Sequence, residues 1–188
     1  MAGGSPKQAA NNFIDPLQQS ISCVTKNILT FPRIRPELGV VYQFTLGYGR
    51  ETVLKGRTPI AMTLSQQFEI VETAEPDKGP FKASTREYAY HLFDTDRQYV
   101  WFHWHPSNGV KLPHLHLGLK PKTEEGIEVA AKFGGTLARK LHLASSRISV
   151  EQVIRFAIGE FEVDRLRDDW EAVLDANQGK HEKYRSWH

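Results

Sequence analysis

Between Arg86 and Leu119 apolar and polar residues alternate almost one by one, and turn-forming residues interrupt the alternation twice. A period of two is the signature of a strand, because successive side chains point to opposite faces. Arg86 to Phe93 forms the first run. It is followed by Asp94-Thr95-Asp96-Arg97, then Tyr99 to His105, then Pro106-Ser107-Asn108-Gly109, and finally His114 to Leu119. Both interruptions carry turn chemistry, so the three runs fold back on one another as antiparallel neighbours. One face of that meander is apolar, with Val100, Phe102, Trp104, Leu115 and Leu117. The other carries His103, His105, His114 and His116, as in a sheet with only one side on a core.

The same period appears upstream. Val40, Tyr42, Phe44, Leu46 and Tyr48 alternate after Gly39, and a second β stretch covers Ile60 to Thr73 with a bend near Gln66-Gln67. Helical spacing replaces it at the two ends. Asp15-Pro16 reads as an N-cap with proline at the first helical position, leading a stripe of Ile14, Leu17, Ile21, Val24 and Ile28. Ser149 to Gln152 is a capping box that opens an amphipathic helix with Val150, Val153, Ile154, Ala157, Ile158 and Phe161 on one side. A second C-terminal helix runs from Leu166 to Ala176. Glu124 to Lys132 reads as a short helix and Leu137 to Leu143 as a last strand carrying His142. The expected fold is therefore α+β: a mostly antiparallel sheet of five to six strands, one N-terminal helix and two C-terminal helices. Residues 1–12 read as a flexible N-terminus, 13–176 as one domain and 177–188 as a flexible tail.

The 188 residues suffice for one real core, and 40% apolar with 24% charged residues is ordinary globular composition. One cysteine, Cys23, excludes an internal disulfide and a cysteine-based zinc framework. It lies off the apolar stripe of the first helix, with no acid–base motif around it. No run is long enough to span a membrane and no signal-peptide pattern is present, which points to the cytoplasm. The net charge of +2 permits nucleic-acid contact without demanding it. Seven basic residues stand between Lys111 and Arg147 against three acidic ones, a skirt suited to an anionic substrate.

Half of the eight histidines fall in the two His-x-His pairs. Three imidazoles plus water make an open, catalytic zinc site, and the pairs offer that many ligands, for zinc or manganese, in a small area. Glu87 and Glu69 are the carboxylates available to orient a ligand imidazole. Tyr88, Tyr90 and Leu92 on the core side would bring Glu87 and His91 to the histidine face, a register that needs an odd-length loop. Without a metal, two of the histidines would serve as general base and general acid in phosphodiester cleavage. Arg147, just before a helix N-terminus, is the candidate anion clamp, with Ser145 and Ser146 as hydrogen-bond donors and Lys111 as a further cation. Trp101 shares the histidine face and is placed to stack a base or sugar ring.

These features predict a nuclease-like hydrolase. The competing class is a non-catalytic module whose aromatic and histidine face docks a protein or nucleic-acid partner, or a second copy of the chain. The aromatic strand with histidines, Pro113-His-Leu-His116, and the run Leu141-His-Leu-Ala-Ser-Ser-Arg-Ile-Ser-Val-Glu-Gln-Val-Ile-Arg155 together resemble small uncharacterised bacterial proteins, over residues 86–175. Some of these look like the TumE-type toxins of toxin–antitoxin modules. That resemblance implies a toxin or defence setting with RNA or nucleotides as target, and it carries over His114 and His116 together with His103 and His105.

Overall fold

In the computed structural model, residues 2–31, 35–57, 59–74, 79–94, 98–106, 111–117 and 143–183 are described. Two 13-residue strands, β5 (Ile60–Glu72) and β6 (Phe81–Phe93), form the spine of the sheet. Along β5 the residues Ile60, Met62, Leu64, Gln66, Phe68 and Ile70 are all buried, one at every second position. The single polar member of that row is satisfied: Tyr90 donates to Gln66 Oε1 at 2.9 Å, and Gln66 Nε2 donates to Thr85 Oγ1 at 2.9 Å. The β5–β6 register slips between Gln67 and Phe68, where the sequence predicts the bend.

Shorter strands flank this spine, all antiparallel to their partners. Beside β5 lie β3 (Val41–Leu46) and β4 (Thr52–Leu54), and β2 (Leu29–Thr30) extends outward from β3. Beside β6 lie β1 (Ala2–Gly3) and β7 (Gln98–Trp104), continued by β8 (His114–Leu117) and β9 (Leu143–Ala144). Among the described residues the sheet has nine strands against the five or six expected. The excess consists of pieces of two or three residues, too short to show a period.

The helices α1 (Pro6–Ile21) and α2 (Val150–Phe161) pack on one face of the sheet, and α3 (Trp170–Lys183) packs on α1 and α2. Tyr88, Tyr90, Leu92, Val100, Phe102 and Trp104 supply that face from β6 and β7. The capping box forms as predicted, with Ser149 Oγ accepting from Gln152 N and Gln152 Oε1 accepting from Ser149 N. No helix among the described residues is long and apolar enough to cross a membrane.

Both helical ends differ from expectation. α1 starts at Pro6, not at Pro16; the cap is Ser5, whose hydroxyl accepts from Gln8 N, and Pro16 lies inside the helix. Serine followed by proline offers the same cap chemistry as Asp15-Pro16, and the buried Ala9, Ala10 and Phe13 draw that earlier turn onto the core. Residues 2–12 are thus built into β1 and α1. At the other end α3 continues to Lys183, past the predicted stop at Ala176. Cys23 lies beyond the end of α1 and is fully buried, which pushes its thiol pKa up and away from a reactive thiolate. The helix expected at Glu124 to Lys132 and the start of the strand expected from Leu137, with His142, lie outside the described residues.

Candidate metal centre

The register of the sheet converts the histidine pattern into positions. His103 on β7 stands directly opposite His114 on β8, and His116 stands opposite Trp101. The two pairs therefore sit side by side but offset by one same-face step. Across β6 and β7, Ala89 faces His103 and His91 faces Trp101; a slip between Leu92 and Phe93 keeps the histidine sides aligned. On the far side Ala144 of β9 faces His114. His103 and His114 are thus bordered in their own row by two alanines, which leaves the imidazoles as the bulky groups there.

Three of the four predicted ligands converge. One ligand atom each from His103, His114 and His116 lies within 4.8 Å of the others. His103 and His114 are buried, at 7% and 3% exposure, and His116 is half-buried. Zinc–nitrogen bonds of about 2.0–2.1 Å put tetrahedral ligand nitrogens roughly 3.4 Å apart. The widest gap in this triad must therefore close by up to about 1.4 Å, within reach of small χ rotations.

Neighbouring groups fix the rings. His114 Nδ1 lies 3.0 Å from the Leu112 carbonyl oxygen; donating its proton there leaves Nε2 as the lone-pair atom. The Trp101 ring stacks on His103, with centroids 4.5 Å apart and planes at 15°, and approaches His116 at 5.6 Å. His103 and His116 are themselves stacked at 4.7 Å. His105 sits outside the triad. Its Nδ1 is 2.7 Å from Glu87 Oε1, so it is oriented by the carboxylate that the register brings to this face. Glu69, the other candidate carboxylate, is paired with Arg86 instead.

The residues predicted to bind an anion make contacts of their own. Arg147 lays its guanidinium over the Trp104 ring at 4.9 Å from the centroid and donates to the Thr85 carbonyl at 3.4 Å. Trp104 is a core residue on the helix face, opposite in strand parity to His103 and His105. The Lys111 side chain is exposed, while its carbonyl accepts from Trp104 Nε1 at 3.0 Å. Ser145 donates its backbone N–H to Pro113 O at 2.9 Å, and its side-chain oxygen is buried with no hydrogen-bond partner among the described residues. Ser146 is exposed. The Leu112 carbonyl is the one functional group the sequence did not disclose; a backbone acceptor has no residue signature.

No protein-family model matches this chain, and no curated protein or solved structure is significantly similar to it.

Proposed function

We propose that this protein is a metal-dependent hydrolase acting on phosphodiesters, with His103, His114 and His116 holding one divalent ion, zinc or manganese. The observation that carries the reading is the convergence within 4.8 Å of three imidazole ligand atoms, two of them on a row otherwise made of small residues. Three imidazoles leave a coordination position open for water or substrate. An ion so held would lower the pKa of a bound water and polarise a phosphoryl oxygen. The chain's own residues set the geometry: the Leu112 carbonyl fixes the His114 tautomer, and Trp101 limits rotation of His103. His105, held by Glu87 and 4.9 Å from His103 between ring centroids, is a positioning neighbour. The TumE-type resemblance favours RNA or nucleotides as the phosphodiester and a toxin or defence setting.

Elemental analysis of tag-free protein is the test, alongside hydrolysis of bis(p-nitrophenyl) phosphate. Near-stoichiometric zinc or manganese, lost in His103→Ala and His114→Ala together with hydrolysis, is the expected result. Wild-type protein that takes up neither metal on titration would sink the metal reading.

A further inference from the structure

The strand registers extend the histidine face into rows that cross the sheet. One row runs Thr45, Ser65, Ala89, His103, His114 and Ala144. The next, one same-face step along, runs Thr63, His91, Trp101 and His116. Beyond it come Val53, Ala61 and Phe93. Two levels result. On β5 the side chains are small, Ala61, Thr63 and Ser65, with Ala89 beside them on β6. On β6 and β7 the side chains are rings: Phe93 stacks on His91 at 4.5 Å, His91 approaches Trp101 at 5.8 Å, and Trp101 stacks on His103. A low floor therefore lies beside a wall of aromatic rings that leads into the metal-binding triad. The floor from Ala61 to Ser65 is about 13 Å long by the rise per residue of a strand.

The charge on this surface narrows what it can hold. None of the residues in these three rows is lysine or arginine. On the opposite side of the triad stand Gln67 and Glu87, paired across β5 and β6. A polyanion binds mainly through cations that neutralise its phosphates, and the three rows offer none, Lys111 standing outside them in the chain ahead of β8. A neutral planar group needs only a ring to lie against, and a sugar needs hydroxyl partners of the kind Thr63 and Ser65 provide.

We infer that the substrate of this site is a small phosphoester carrying one heteroaromatic ring, of nucleotide size, with the ring against Phe93, His91 and Trp101 and the phosphoester at the triad. The inference rests on the metal-dependent reading for the position of the phosphoester and on the ring wall for the rest. A nucleic-acid polymer is the outcome it opposes.

The test compares adenosine 5′-monophosphate with ribose 5-phosphate, which lacks only the ring, by calorimetric titration of zinc-loaded protein. Single-stranded oligoadenylate of about 20 nucleotides is titrated at two salt concentrations. Adenosine monophosphate should bind about tenfold more tightly than ribose 5-phosphate, as one stacked base implies. That difference should shrink to under threefold in Trp101→Ala and Phe93→Ala but persist in Trp101→Phe, which keeps a ring and serves as the folding control. Equal binding of the two ligands, or a difference that survives both alanine variants, overturns the inference. So does oligonucleotide binding far tighter than that of the mononucleotide with a steep loss in salt. Zinc content measured on the same samples separates the two readings. A wild-type protein without zinc that still prefers the ring ligand leaves the wall intact and removes only the metal.

Discussion

His105 and His116 are each one same-face step from a buried histidine, yet they do different things. His116 joins the triad, whereas His105 turns its Nδ1 to Glu87. Substitution should separate them. His116→Ala is expected to weaken zinc binding at least tenfold more than His105→Ala, measured by competition with a chromogenic chelator. Glu87→Gln should leave zinc stoichiometry unchanged, because the carboxylate orients a ring outside the triad. Losing outer partners of true ligands costs roughly 10- to 100-fold in affinity, so a loss of that size in Glu87→Gln would place His105 among the ligands. Much of this was legible in the sequence. Alternation put each His-x-His pair, with Trp101, on one face of its strand, because parity is a property of strands, whereas His91 and Glu87 join that face only through the register across the β6–β7 turn. Which three of the four histidines converge was not legible, since that depends on the one-step offset between His103–His105 and His114–His116. The contact of Arg147 with Trp104 was not legible for the same kind of reason. The arginine's place before a helix N-terminus is visible in sequence, but the face on which the chain turns back after β9 is not.

Among the elements, α3 was the hardest to read, and its attachment explains why. Its buried residues are Leu174 and Asn177, too few for an apolar stripe. Trp170 and Val173 pack against the core beside Leu174, and a polar cluster shared with α1 and α2 adds to that hold. Asn177 Nδ2 donates to Pro16 O at 3.0 Å and to Ser20 Oγ at 3.1 Å. Ser20 Oγ donates to Glu151 Oε1 at 3.0 Å, and His181 Nδ1 lies 3.0 Å from the same oxygen, poorly aligned for a hydrogen bond but close enough for charge contact. Glu151 is fully buried. Burial pushes its carboxyl pKa up, but contact with the His181 imidazole and its charge, aided by local hydrogen bonds, brings the net value below the ordinary carboxylate range. A depressed carboxylate pKa contributes stability above the unfolded value and loses it as pH falls through the folded value. Wild type should therefore lose melting temperature in acid, below the usual glutamate range, more steeply than Glu151→Gln, and urea melts across that interval would show it. At neutral pH Glu151→Gln should cost about 3 kcal/mol, the scale of breaking a buried charged contact. Equal acid slopes in the two proteins would remove Glu151 from the account.

A second joint between elements depends on a missing side chain. Gly56 bridges to Val163 where the chain between β4 and β5 meets the chain after α2. A Cβ on Gly56 would stand 2.4 Å from the Glu162 carbonyl oxygen and 2.8 Å from Val163 Cα, both backbone atoms that cannot swing aside. Gly56→Ala should destabilise by about 2 kcal/mol, measured by urea denaturation, on the scale of overpacking a closed contact.

At the scale of the whole molecule, the sheet separates two kinds of work. Its helix side holds the aromatic and aliphatic core, and its other side holds the triad and the ring wall. Because a ligand that binds only the folded chain stabilises it by mass action, zinc at 100 times its dissociation constant should add about 2.7 kcal/mol of stability. The accompanying rise in melting temperature should vanish in His114→Ala. A rise of the same size in that variant would assign the effect to another part of the surface. Finally, the triad is drawn from a single hairpin, His103 to His116, whereas α2 and α3 come from the last part of the chain. During synthesis the triad histidines emerge from the ribosome well before those helices exist. An ion captured at that stage would pin β7 against β8 in register, and the late helices would then close over a sheet whose central pairing is already chosen.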